Sequence, residues 1–148
     1  MTVKIAPLAE TSWTGADIAQ LYRRVQRASL PYLPDLHTPD EDRTFFERVV
    51  ANQAVLAAFD DSLVGFCAFR VAWIDHLYID PAAQGKGIGT ALLAAALADQ
   101  AEVSLYTFQR NHAARRFYAK YGFAEIALSD GSRNDEKEPD VLLRWAAG

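Results

Sequence analysis

The spacing of apolar residues changes repeatedly between Val3 and Trp145, and each change marks a new element. Val3 and Ile5 alternate with polar neighbours, the period of a half-buried strand. Ile18, Leu21, Tyr22 and Val25 recur at helical spacing and predict an amphipathic helix from about Thr14 to Ala28. A breaker-rich loop, Leu30 to His37, separates it from Thr38-Pro39-Asp40-Glu41, which reads as a helix start. Thr38 takes the N-cap, Pro39 the first helical position, and Glu41 completes a capping box. Phe45, Phe46, Val49 and Val50 then supply a buried stripe. Apolar runs at 54–59 and 63–69 flank the polar Asp60-Asp61-Ser62 and predict a hairpin, with the next strand at 73–80. Residues 88–99 are apolar nearly all round and rich in Ala, as suits a helix pressed against a sheet. A strand at 102–108, a helix at 112–121 and a closing hairpin at 123–128 and 141–145 complete the pattern. Between the last two strands, 129–140 is polar and charged; it reads as a solvated loop, with substrate gating as the alternative.

This order predicts an α/β fold, a mixed central sheet of about seven strands with helices on both faces. Its 148 residues, 51% of them hydrophobic, suit one domain spanning 1–148 with a sizeable core. The opening Met1-Thr2-Val3-Lys4 lacks a long apolar region, and no run approaches the ~20 apolar residues that span a bilayer. A soluble, cytoplasmic protein without a membrane partner is expected. Cys67 is the single cysteine, which excludes an intrachain disulfide and a cysteine-based metal site; its apolar strand predicts a buried, inert thiol. The formal charge of −4 argues against a nucleic-acid partner, because a polyanion-binding surface normally leaves a basic excess. His37, His76 and His112 are too scattered for a metal motif, and no metal is expected.

The most informative chemistry lies in Gln84-Gly85-Lys86-Gly87-Ile88-Gly89-Thr90, between a predicted strand and a predicted helix. Closely spaced glycines let backbone N–H groups turn inward, and the helix adds the positive end of its dipole, so the segment forms an anion cradle. A nucleotide P-loop needs Gly-Lys followed by Ser or Thr, and the dinucleotide fingerprint needs Gly-x-Gly-x-x-Gly; neither spacing is present. Gln84-x-x-Gly87-x-Gly89 instead resembles the Gln/Arg-x-x-Gly-x-Gly/Ala pyrophosphate loop of the GNAT superfamily of N-acetyltransferases. A second block, Asn111 to Phe123, resembles that family's next segment, where an Asn opens a helix, Phe-Tyr lies near its end and Gly-Phe starts the following strand.

The resemblance implies a GNAT-like fold in which the strands before and after the glycine-loop helix run parallel and splay apart around the pantetheine arm of acetyl-CoA. It implies that amides of Gly85, Lys86, Gly87, Ile88, Gly89 and Thr90, with Gln84, hold the pyrophosphate. Lys86 is either a solvated tip or a phosphate neighbour. Backbone groups of Leu77, Tyr78 and Ile79 would pair with the pantetheine and polarise the thioester carbonyl. Asn111, which also fits a helix N-cap, and Phe117 would line the donor arm. Tyr118 takes the family position of the general acid to the departing thiolate, against a packing role; Tyr121 competes but adjoins Gly122-Phe123, where packing is expected.

Removing a proton from a lysine-type amine costs about 4.6 kcal/mol at neutral pH, against only ~1–1.4 for an α-amino group. Asp75 is the first candidate base and His76 the second, with a water relay sufficient for the weaker amine. Strand parity puts these two side chains on opposite faces unless a bulge intervenes. The expected activity is acetyl transfer from acetyl-CoA to a primary amine of a small molecule or peptide, by direct attack in a ternary complex. The alternatives are a noncatalytic acyl-CoA-binding module and, disfavoured by charge, a nucleic-acid acetyltransferase. Exposed strand edges would allow a homodimer.

Overall fold

The computed structural model describes residues 2–148. The elements run β1 (Lys4–Pro7), α1 (Gly15–Ser29), α2 (Pro39–Asn52), β2 (Ala54–Phe59), β3 (Leu63–Arg70), β4 (Trp73–Ile79), α3 (Ile88–Leu97), β5 (Glu102–Phe108), α4 (His112–Lys120), β6 (Ala124–Ser129) and β7 (Asp140–Ala146). Both predicted helix starts carry side-chain hydrogen bonds at their caps. Thr38 Oγ1 accepts from the Glu41 amide at 3.1 Å while Glu41 accepts from the Thr38 amide at 2.8 Å, and the Asp17 carboxylate accepts from both the amide and the hydroxyl of Thr14 at 2.8 and 3.1 Å.

The strands form one seven-stranded mixed sheet in the order β1-β2-β3-β4-β5-β7-β6. Its two faces are built by alternation. In β3, Phe66 and Ala68 join Ile18, Leu21 and Phe46 under α1 and α2, while Cys67 between them joins Leu92, Leu93 and Tyr118 under α3 and α4. Helices therefore cover both faces, as the element order predicts. Cys67 is buried, and burial pushes its thiol up to about 12, so it stays an inert hydrophobe.

Two departures from regular pairing shape the molecule. β4 and β5 run parallel but pair only at Trp73 and Ser104, with the Ser104 amide donating to the Ala72 carbonyl at 2.9 Å. Beyond that point they diverge, which is the splay that the family resemblance implies. In addition, Ala68 pairs with His76 whereas Phe69 pairs with Ile74, so Asp75 is an extra residue bulged out of β4.

Three readings need correction. Phe45 is 50% exposed rather than part of the α2 stripe: Phe46 and Val49 fill the core, and Phe45, one residue off that face, borders a cleft beside His76. The helix after the glycine loop ends at Leu97, because Ala98 leaves helical geometry and Asp99 turns left-handed to redirect the chain into β5. The segment between β6 and β7 is tied down rather than simply solvated. Glu138 is buried and bidentate to Arg110 at 2.6 and 2.7 Å, and Arg110 lies over the Tyr32 ring at 4.0 Å.

Candidate functional site

The glycine loop follows a short turn, Pro81–Ala83, at the end of β4. Gly85 and Gly87 have φ of +79° and +80°, a left-handed geometry that L side chains adopt at a cost, and a Cβ at either would meet nothing within 4 Å. These glycines thus serve backbone geometry, not packing. Gly87 is itself the N-cap of α3, so the inward-turned amides and the helix dipole act at one open place. Gln84 donates to the Ile79 carbonyl at 3.2 Å, tying the loop to the strand. Ile88 is buried beneath the first turn and Lys86 is exposed at the tip. A Cβ on Gly89 would lie 3.5 Å from the Phe117 ring, which brings α4 against the start of α3.

Past Ser104, β4 has no ladder partner on its β5 side, so the backbone of Leu77 to Ile79 borders the gap. α4 closes the other side. Asn111 caps it, Oδ1 accepting from the Ala114 amide at 3.2 Å, which leaves the side-chain NH2 available to a ligand. Tyr118 is 7% exposed, packed edge-on to Phe117 and Phe123. Burial raises its phenol above the ordinary range, and nearby Cys67 and Tyr78 add to this, so it holds its proton at working pH. Tyr121 has a polar role that sequence reasoning missed: its hydroxyl is hydrogen-bonded to Thr90 Oγ1 at 2.6 Å, joining the end of α4 to the first turn of α3.

The bulge decides what the opposite face offers. Without it His76 would point toward α3 and α4; with it the imidazole sits near Phe46 and Tyr78, ring centroids 5.1 and 6.1 Å away, and lines the same cleft as Asp75. Asp75 is held by Arg70 in a bidentate pair at 2.8 and 3.2 Å. His76 Nδ1 is out of contact with solvent and has no hydrogen-bond partner among the described residues. Desolvation pushes its imidazole down to about 4, against the opposing influence of Asp75, so it is neutral near pH 7.

The buried His76 imidazole makes folding stability depend on pH. The unfolded chain binds this proton below about 6.5 and the folded chain only near 4, so stability falls as pH drops through that window. Wild-type protein is expected to lose about 1–2 kcal/mol more than His76→Phe between neutral pH and pH 5. Parallel pH–melting curves for the two proteins would refute it.

Asp75 and His76 open onto a cavity of about 710 Å³, between α1 and α2 on one side and β5 with the 134–136 segment on the other. Tyr22, Gln26, Phe45 and Tyr106 also line it; the sequence marks Tyr22 and Phe45 only as packing positions and gives no signal at Gln26 or Tyr106. Trp73 stacks on Tyr106 at 5.8 Å where β4 and β5 still pair. In the loop from Leu30 to His37, His37 reaches this cavity, while Tyr32 serves in the Arg110 clasp. The described residues include no group of three or more His, Cys, Asp or Glu placed to hold a metal ion, and no helix long and apolar enough to cross a membrane.

The site thus joins a left-handed glycine loop at a helix N-terminus, a gap in the sheet and a cleft across β4. Comparison with known proteins agrees with this arrangement. Over its full length the chain superimposes on the solution structure of apo YjaB from Escherichia coli with a TM-score of 0.78 at 22% identity, covering 100% of both chains. It superimposes on PaiA N-acetyltransferase from Thermoplasma acidophilum in complex with coenzyme A with a TM-score of 0.73 at 19% identity, covering 99% and 100%. These likenesses show the shared fold. In sequence it is 42% identical to a mycothiol acetyltransferase from Sanguibacter keddieii, over 53% of this chain and 30% of that protein. It is 36% identical to the peptidyl-lysine N-acetyltransferase YjaB of E. coli, over 58% and 57%. These sequence matches span less than two thirds of the length of either relative, 30% and 57%. The family model for the acetyltransferase (GNAT) domain matches residues 50–125, from the end of α2 through both glycine-loop and α4 segments, and the chain belongs to the GNAT acetyltransferase family.

Proposed function

We propose that this chain is an N-acetyltransferase that moves an acetyl group from acetyl-CoA to a primary amine of a small molecule or peptide, by direct attack in a ternary complex. The observation that carries the reading is the single-pair contact between β4 and β5, with the left-handed Gly85 and Gly87 at the end of the gap. Acetyl-CoA supplies an activated thioester when bound. The residues present fit it: the open amides at Gly85 to Thr90 suit a pyrophosphate, and the unpaired edge at Leu77 to Ile79 offers the amide partners a pantetheine arm needs. Asn111 and Phe117 border the same gap. Tyr118 holds a proton there for the departing thiolate. The acceptor enters from the opposite face, where Asp75, with His76 beside it, assists loss of the amine proton.

Release of free thiol from acetyl-CoA, measured across a panel of amines and peptides, tests the reading. Binding of acetyl-CoA with no amine-dependent release would overturn it and leave a noncatalytic binding module. Asp75→Asn is expected to leave coenzyme A affinity as in wild type and to lower turnover mainly on the acid limb, where the amine is most protonated. The loss should stay near the low end of general-base effects, about a hundredfold, because Arg70 already engages the carboxylate. A pH–rate profile superimposable on wild type would strike Asp75 from the mechanism.

A further inference from the structure

We propose that the acceptor is a small aliphatic amine carrying a second cationic centre; this rests on the acetyltransferase reading and names the substrate class of its acceptor cleft. Seven carboxylates and one guanidinium, that of Arg48, line the 710 Å³ cavity. Three of the carboxylates are matched: Asp42 by Arg23 at 2.6 Å, Asp75 by Arg70 at 2.8 Å and Asp40 by Arg43 at 3.5 Å. Glu41, Asp135, Glu136 and Asp140 have no cationic partner among the described residues, so the cleft keeps an excess of negative charge after Arg48 is counted.

Part of this charge is held in place by packing around the segment between β6 and β7. The Arg110–Glu138 pair, clasped onto Tyr32, anchors the segment carrying Asp135 and Glu136, and Asn134 donates to the Glu138 carbonyl at 2.8 Å. At Gly131, with φ of +84°, the Glu138 backbone comes so close that no side chain fits. Glu136 lines the same cavity as Tyr22 and Tyr78, and its charge helps to raise their phenols, after the larger effect of burial. Between this rim and the bulge at Asp75 the cavity surface is aromatic, with Phe45, Phe46, Tyr78 and Phe108. Aromatic walls with carboxylates at both Asp75 and Asp135–Glu136 suit a methylene chain whose reacting amine lies near β4 and whose other ammonium lies under Asp135 and Glu136. The acidic groups are spread along the cavity instead of converging as metal ligands would. The volume lies within the ~300–1,000 Å³ of small-molecule sites, which favours a small amine over a basic peptide.

The test compares hexylamine with hexamethylenediamine, which differ by the second ammonium. The diamine should show roughly tenfold higher kcat/KM, with the advantage shrinking as sodium chloride is raised. The paired substitution Asp135→Asn with Glu136→Gln should erase most of that preference, whereas Asp61→Asn, on the β2–β3 turn, should retain it. Equal kcat/KM for the two amines, a preference insensitive to salt and to the paired substitution, or faster transfer to a lysine-rich peptide would each overturn the proposal. Tighter calorimetric binding of the diamine to coenzyme A-loaded protein, with no transfer to any amine, would support the cation preference and overturn the acetyltransferase reading instead.

Discussion

Gly87→Val is expected to abolish measurable coenzyme A binding in a protein that still folds. The two consequences separate because the site is open: a Cβ at Gly87 meets nothing within 4 Å, so the substitution creates no internal clash. The cost is conformational. Holding a β-branched residue at φ +80° is unfavourable by roughly 1–2 kcal/mol, and the loop relaxes toward negative φ, which turns the local amides away from the anion. Loss of two charge-assisted hydrogen bonds at ~1.5–3 kcal/mol each would weaken binding by about 10²–10⁴-fold, and the new isopropyl group also fills space that the phosphates need. Calorimetry with coenzyme A, alongside a melting curve, checks both halves. Wild-type affinity in this variant would remove the central claim and leave the loop as a simple chain reversal.

Tyr118→Phe is expected to keep coenzyme A binding and lose about a hundredfold in turnover. A phenol near 10 protonating a thiolate whose acid is near 8.5 already works against about 2 kcal/mol, and burial in the unliganded protein raises the phenol further. General-acid assistance spans ~10²–10⁴-fold, and this mismatch points to its lower half. Tyr121→Phe is the control. It removes the 2.6 Å contact with Thr90, worth about 1 kcal/mol of stability, and should cost little in turnover. Wild-type turnover in Tyr118→Phe, with the chemical step shown to limit the rate, would return Tyr118 to a packing role.

Chemistry that acts over a few residues can be read directly along this chain. The capping box at Thr38, the hairpin around Asp60-Asp61-Ser62 and the helix after Gly87 are set by neighbours within a turn or two, and their elements lie within a few residues of the predicted positions. The alternation of Phe66, Cys67 and Ala68 likewise assigns two faces without any knowledge of what covers them. The tertiary structure alone decided which distant residues meet. Side chains alternate with a period of two, so one extra residue at Asp75 moves His76 to the other face, and only the pairing of β4 with β3 reveals that residue. Composition describes the segment between β6 and β7 as polar, yet Glu138 is buried because Arg110 and Tyr32, remote in sequence, converge on it. The cleft assembled from α1, α2, β4, β5 and that segment was not legible for the same reason: its charge and shape belong to a juxtaposition that no single stretch of chain encodes.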